Sequence, residues 1–228
     1  MAVDVAARTE EVISDTGTQA GSPRSAATRE RILDVAERLF AEHGVFAVSN
    51  RQVSEAAGQG NNAAVGYHFG TKTDLIRAIV NKHALPIEQK RKELLAEVEG
   101  STDVRDWVTC LVRASADHYS ELSGPSWYSR FTVQVLADPT LRAVAYEDVS
   151  SSPVLQKILV SLAECLPDIP DDVRHTRGEM ARQLMVHMGA ERERLLASEN
   201  FAEASSWENF STDLVDAIVG LWCAPVTR

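Results

Sequence analysis

The sequence predicts an all-α protein in two parts, a small trio of N-terminal helices and a larger helical domain behind it. Three observations carry that expectation. Apolar residues recur at three- and four-residue steps from Ser25 almost to the end of the 228 residues, the period of a helix with one buried face. No run of four to eight β-branched residues stands between turn signals, so strands are not expected. Glycine and proline fall mostly between the periodic stretches, and no internal repeat is visible.

Taken in order, residues 1–23 mix small, polar and acidic side chains without sustained periodicity and read as a disordered tail. Ile32, Ala36, Leu39 and Phe40 form one face of a first helix, closed at His43-Gly44. Ser49-Asn50-Arg51-Gln52 is a capping box, the Ser hydroxyl serving one orphan amide and the Gln side chain another. It opens a short second helix with Val53, Ala56 and Ala57, ending at Gly58. Asn61 and Asn62 are expected to cap a third short helix to about Tyr67, before a turn at Gly70. Thr71 or Thr73 starts a long fourth helix carrying Leu75, Ile76, Ile79 and Val80, with a kink expected at Pro86. Longer helices follow: Thr102 to about Leu122, a face of Trp127, Phe131, Val135 and Leu136, shorter helices after Pro139 and Pro153, then Asp171–Ser198 and about Ala204–Cys223.

Charge narrows the possible partners. The chain has 23 Lys+Arg against 33 Asp+Glu, a formal net charge of −10. As a whole that argues against nucleic acid, whose binding domains are usually basic. Apportioned, residues 1–23 carry −3, residues 24–72 carry +1 and residues 73–228 carry −8. A near-neutral unit can still present one positive face. No stretch reaches the roughly 20 apolar residues of a membrane span, so no membrane is expected as a partner. Three cysteines, far apart and without a C-x-x-C pair, fit a reduced, cytoplasmic chain and read as small buried hydrophobes.

Three helices within fewer than 50 residues, the second and third short and joined through a glycine turn, describe a helix-turn-helix. In that motif the second helix of the pair enters the major groove while its neighbour crosses the backbone. Asn61 and Asn62, with Ala63 beside them, open the helix that would reach base edges, and an Asn amide pairs with adenine N6 and N7 together. Ser49, Arg51, Tyr67, His68 and Lys72 bring the donors that phosphates need. The competing assignments are a core role for Phe69 and Tyr67, plain surface exposure for His68, and capping alone for the two asparagines.

Thr28-Arg29-Glu30-Arg31-Ile32-Leu33-Asp34-Val35-Ala36-Glu37-Arg38-Leu39-Phe40-Ala41-Glu42-His43-Gly44, then Val53-Ser54-Glu55-Ala56-Ala57-Gly58, then Tyr67-His68-Phe69-Gly70-Thr71-Lys72-Thr73-Asp74-Leu75 resembles the tetracycline-repressor family of transcriptional regulators. The resemblance covers about residues 25–80. It implies an N-terminal three-helix DNA-binding domain, a larger C-terminal helical ligand-binding and dimerisation domain, and a homodimer on a palindromic double-stranded operator. Residues 24–72 then form the DNA-binding domain, the first turn of a linking helix runs to about 80, and residues 81–228 form the rest. The chain departs from the family between helix two and Tyr-His-Phe. Gln59-Gly60-Asn61-Asn62-Ala63-Ala64-Val65-Gly66 is one residue longer than the common Val-Ser-Lys-Gly-Thr-Leu-Tyr and lacks its lysine.

In the second domain, Trp107, His118, Trp127, Phe131, Met185 and His187 are the candidate lining of a pocket for a small, largely apolar effector, drawn from a wider set with Cys110, Tyr119 and Tyr128. Met180, Leu184, Met188 and Leu195 on the long helix, and Phe210, Leu214, Ile218 and Leu221 on the last, are the candidate dimer interface, two helices meeting their symmetry mates. Either stripe can instead bury into its own core. Gly58-Gln59-Gly60-Asn61-Asn62-Ala63 matches a dinucleotide fingerprint by letter, but it follows a helix and not a strand. His118, His175 and His187 lack metal-ligand spacing, so neither metal nor cofactor is expected, and no catalytic constellation supports an enzyme. The sequence leads to a ligand-responsive DNA-binding regulator, a repressor in the first instance. A C-terminal domain that binds a partner protein is the alternative.

Overall fold

A computed structural model describes residues 23–122, 126–150, 152–198 and 206–227, with side chains left aside at 147–150. The expected N-terminal tail lies, apart from Pro23, outside the described residues, as does Ala204. Among the described residues the chain is ten helices and no strand: α1 (Pro23–His43), α2 (Asn50–Ala56), α3 (Ala64–Phe69), α4 (Lys72–Val98), α5 (Val104–Glu121), α6 (Tyr128–Ala137), α7 (Pro139–Ser150), α8 (Pro153–Cys165), α9 (Asp171–Ala197) and α10 (Trp207–Cys223).

Most helices start where a side chain satisfies an orphan amide. Ser49 Oγ accepts from Gln52 N at 3.2 Å while Ser49 N donates to Gln52 Oε1 at 2.8 Å, the reciprocal box expected for α2. Thr71 and Asp74 repeat it at α4, with Asp74 N donating to Thr71 Oγ1 at 3.1 Å and Thr71 N to Asp74 Oδ2 at 3.0 Å. These bonds from Thr71 hold the Asp74 carboxyl below the ordinary aspartate range. Gly70 sits in that turn at φ +83°, and a Cβ there would stand 3.2 Å from the capping carboxylate, so the position needs glycine on both counts. Asp103, Ser152 and Ser206 cap α5, α8 and α10.

The third helix corrects the sequence reading. It starts at Ala64, and its N-cap, Ala63, has no side-chain hydrogen bond. Asn61 Oδ1 accepts from Ala63 N at 2.9 Å, so it closes the turn before the helix. What fixes α3 instead is Ser54 of α2. Its buried hydroxyl donates to Asn50 O at 3.0 Å and accepts from Val65 N at 3.3 Å, tying the two helices of the motif together. Pro86 is exposed, and α4 runs through it without ending.

Two apolar cores organise the chain. The first holds Ile32, Ala36, Phe40, Val53, Val65, Leu75, Ile76 and Ile79, and it does not stop at the expected domain boundary. It continues into Phe131 and Val135 of α6, with the Phe40 and Phe131 rings stacked at 6.2 Å and 25°. The second joins Trp107, Val108, Cys110, Ile158, Leu162, Ala181, Leu214, Val215, Ile218 and Trp222. Cys110 is buried, and burial pushes its thiol up to about 11, whereas Cys223 is exposed and is not the buried hydrophobe expected.

A carboxylate from α9 fixes α6. Buried Glu193 accepts from Ser126 Oγ at 2.6 Å, Ser129 N at 2.9 Å and Arg130 N at 2.9 Å, which covers the first-turn amides of α6. One turn earlier, a Cβ on Gly189 would lie 3.1 Å from Ser129 Oγ, so the close approach of the two helices depends on that glycine.

Candidate nucleic-acid interface and effector cavity

The outer side of the helix-turn-helix is open. Ser49 and Arg51 at the start of α2, Asn61, Asn62 and Ala63 before α3, and Gly66 and Tyr67 on it are all exposed, while Ala64 and Val65 face inward. Tyr67 is 83% exposed, which removes the core assignment for that ring. Its edge contacts His68, with ring centroids 4.9 Å apart at 84°. A Cβ built on Gly66 would meet nothing within 4 Å, so the middle of α3 is bare. Arg51 pairs with Glu55 at 2.8 Å, both side chains largely in solvent. Such a pair stabilises little, so the guanidinium can exchange the carboxylate for a phosphate.

Lys72, at the edge of this surface, is half-buried. Its ammonium donates to Val45 O at 2.8 Å and to Val48 O, clasping the loop between α1 and α2, and burial lowers its pKa. An ammonium has three donors, and two are committed to carbonyls. Arg29 has a similar duty that the sequence did not reveal: its Nη1 donates to His68 O at 2.7 Å and its guanidinium lies over Phe69, 4.1 Å from the ring centre.

The second domain holds a partly open cavity of about 520 Å³, walled by α4 to α10 and mostly apolar, a normal size for a small-molecule site. Of the six expected lining residues, Phe131 and Met185 are on its wall. The other four lie elsewhere. Trp107 is buried in the second core and donates its indole N–H to Ser101 O at 3.2 Å. Trp127 flanks α6 with the Arg130 guanidinium 3.9 Å above its ring. His187 is on the exposed side of α9. His118 turns away from the cavity toward α4. The wall uses the Leu111, Ser115 and Tyr119 side of α5 instead, together with Tyr128 and Trp207. Burial raises the phenol pKa of Tyr119 and pushes that of Tyr128 up to about 12, so both stay neutral. Arg91, Tyr146 and Arg182 also line it and were not anticipated, since single polar residues on helices read as surface.

Behind Tyr128 lies a buried polar chain. His83 Nε2 is 2.8 Å from Glu37 Oε2 of α1, and His83 Nδ1 is 2.9 Å from His118 Nε2 of α5. His83 therefore bridges the carboxylate on α1 and the imidazole on α5. Tyr128 stacks flat on His83, centroids 4.0 Å apart at 19°. Burial lowers the His118 pKa to about 4, with His83 and Lys90 acting in the same direction, which keeps the ring neutral. Among the described residues no group of three or more His, Cys, Asp or Glu is placed to hold a metal ion.

The expected dimer residues divide. Met180, Met188 and Leu195 are 49%, 44% and 48% exposed along α9, and Leu184 is half-buried against the second core. On α10, Leu214 and Ile218 are buried and line the cavity, Phe210 also lines it, and Leu221 is half-buried against the second core. The apolar stripe of α10 therefore serves its own domain. Its outer side carries small residues, Ala217, Gly220 and Cys223.

A helix-turn-helix with an open reading face, joined to a helical domain around an apolar cavity, defines a ligand-responsive DNA-binding transcriptional regulator. Residues 32–79 match the model of the tetR family of bacterial regulatory proteins, and residues 109–220 match the tetracyclin repressor-like C-terminal domain. The chain belongs to the tetracycline-repressor family. It is 27% identical over 153 residues to the transcriptional repressor AcnR of Corynebacterium glutamicum, covering 65% of this chain and 74% of that protein. The transcriptional regulator AcrR of Shigella flexneri is 44% identical over 52 residues, 23% of this chain and 24% of the relative. Among solved structures, a tetR-family regulatory protein from Rhodococcus aligns with a TM-score of 0.57 at 17% identity, covering 87% of this chain and 98% of that one. The regulator PfmR of Thermus thermophilus aligns at 0.54 and 17% identity, covering 88% and 97%. No helix among the described residues is long and apolar enough to cross a membrane.

Proposed function

We propose that the protein is a homodimeric repressor that leaves a two-fold symmetric operator when a small, largely apolar effector enters the cavity. The observation that carries this reading is the path from cavity to DNA-binding helices: Tyr128 on the wall, stacked on His83, which pairs with Glu37 on α1. An effector that displaces Tyr128 moves a ring whose other face rests on α1's anchor. Release requires tighter binding of the effector to the conformation in which the two reading helices are wrongly spaced. Asn62, Ala63 and Tyr67 are assigned to the groove, and Ser49, Arg51 and the half-buried His68 to the phosphates. Lys72 acts by holding the loop that positions α2. A purified dimer should bind DNA flanking its own gene with an affinity that falls steeply between low and physiological salt. Asn62→Ala should lose preference at one base step while retaining binding to unrelated DNA. No salt-dependent binding to that DNA would overturn the reading.

The dimer is assigned to Met180, Leu184, Met188 and Leu195 of α9 against the Ala217–Gly220–Cys223 side of α10, with Leu221 at its margin. Small residues there let a partner helix approach closely. Gly220→Arg has open space in the monomer, since a Cβ at 220 meets nothing within 4 Å. It should leave the helical circular dichroism unchanged and shift the sedimentation coefficient to that of a monomer. An unchanged dimer would move the interface elsewhere.

A further inference from the structure

We propose that the cavity selects a carboxylate carried on an apolar body, its head group held by Arg182 and Tyr146. The inference deepens the reading above and rests on it for the assignment of the cavity to an effector. Three buried atoms of the wall have no hydrogen-bond partner among the described residues: Arg182 Nη1, Arg91 Nε and the Tyr146 hydroxyl. Buried polar groups are rarely left unpaired, and each such group is costly until a partner arrives. The two guanidinium atoms can only donate, and a phenol can donate, so the missing partner is an acceptor.

Charge sharpens the choice. The wall contains two arginines and no Asp, Glu or Lys, a positive interior inside a chain of net charge −10. Arg182 is paired through Nη2 with Glu179, but that carboxylate is half exposed, so water screens it and Arg182's charge remains felt on the cavity side. Arg91 spends Nη1 on Glu88, at 3.3 Å, and its Nε has no partner among the described residues. The Arg182 guanidinium lies 5.3 Å from the centre of the Tyr146 ring, which brings donors from α9 and α7 to one place. A carboxylate has two oxygens for them, and a charge-assisted bond is about twice as strong as a neutral one. An amine would add donors to a site that already has too many and would meet like charge. The remaining lining, with Leu111, Val112, Leu159, Leu162 and Phe210, takes the apolar body.

The test is calorimetric titration of the full-length dimer with two matched sets, decanoate, methyl decanoate and decylamine, and then naphthylacetate with its methyl ester and its amine. In at least one set the acid should bind at least about tenfold tighter than its ester, the worth of one hydrogen bond to a charged group, and the amine should bind weakest. Arg182→Gln and Tyr146→Phe should each remove most of the acid's advantage and change the ester's affinity less than about twofold, with circular dichroism confirming the fold. Amines or esters matching the acids in both sets, no binding by either acid, or unchanged acid affinity in both variants overturns the proposal. Operator release is measured separately. Acids that bind but leave DNA binding intact uphold this inference and overturn the repressor reading; release by an amine does the reverse.

Discussion

Replacing Glu193 by alanine is expected to lower the thermal midpoint by roughly 10 °C, the consequence of about 3–5 kcal/mol lost when a buried charge partner is removed. Glu193 receives the Ser126 hydroxyl and the Ser129 and Arg130 amides, and Arg130 Nε stands 3.6 Å away. Alanine leaves those donors buried without an acceptor at the start of α6. Because α6 carries Tyr128 and Phe131 and packs on α1, the loss reaches both the cavity wall and the DNA-binding core. Glu193→Gln, which keeps one acceptor oxygen, should fall between wild type and alanine. A scanning calorimetry shift of less than about 2 °C for the alanine variant, below what about 1 kcal/mol produces at this chain length, would show that α6 does not depend on this cap.

His83→Leu is expected to have the second large effect, on coupling as well as stability. The leucine leaves Glu37 as an unpaired buried carboxylate and takes away the partner of His118, again costing about 3–5 kcal/mol. Replacing Glu37, His83 and His118 together by leucine should return much of that stability, since a buried polar set is often replaceable by apolar packing. The triple variant should still bind DNA yet lose the effect of a saturating cavity ligand. Allosteric coupling is typically about 5- to 150-fold in affinity; here it should approach none by fluorescence anisotropy. A triple variant that responds normally would show that the signal travels by another route. The same chain sets a pH dependence. The His118 pKa is depressed to about 4 in the fold, against about 6.5 unfolded, so the unfolded state binds the extra proton. Stability is present above pH 6.5 and drains away as pH falls toward 4. His118→Gln should flatten that slope in pH-dependent thermal melts.

How much of this was legible beforehand follows from which forces are local. The helix start at Ser49 was readable because cap and amide lie three residues apart, whereas at α4 the sequence left Thr71 and Thr73 both open and the structure caps at Thr71. The α1 face through Ile32, Ala36 and Phe40 was readable because it repeats. Glu37, one position along, gave no sign of burial, since the residue that compensates it is His83, 46 positions away. Lys72 gave no sign of its hold on the loop after α1 for the same reason: its carbonyl partners are at 45 and 48. Leu214 and Ile218 had the right spacing for an interface, but spacing shows only that a face is apolar, not which surface covers it. Arg182 and Tyr146 become informative only when the wall around them is seen to hold no carboxylate.

The Phe40–Phe131 stack limits how this protein can be re-engineered. Hybrid regulators are assembled by grafting one protein's operator-reading segment onto another's sensor. A cut after residue 72 would leave Phe40 facing a foreign helix, with Phe131 left behind. A transplant from this chain should therefore carry two pieces, the first 72 residues and the α6 surface that meets them. The seam of the chimera belongs between α6 and the rest of the sensor, not at the linking helix.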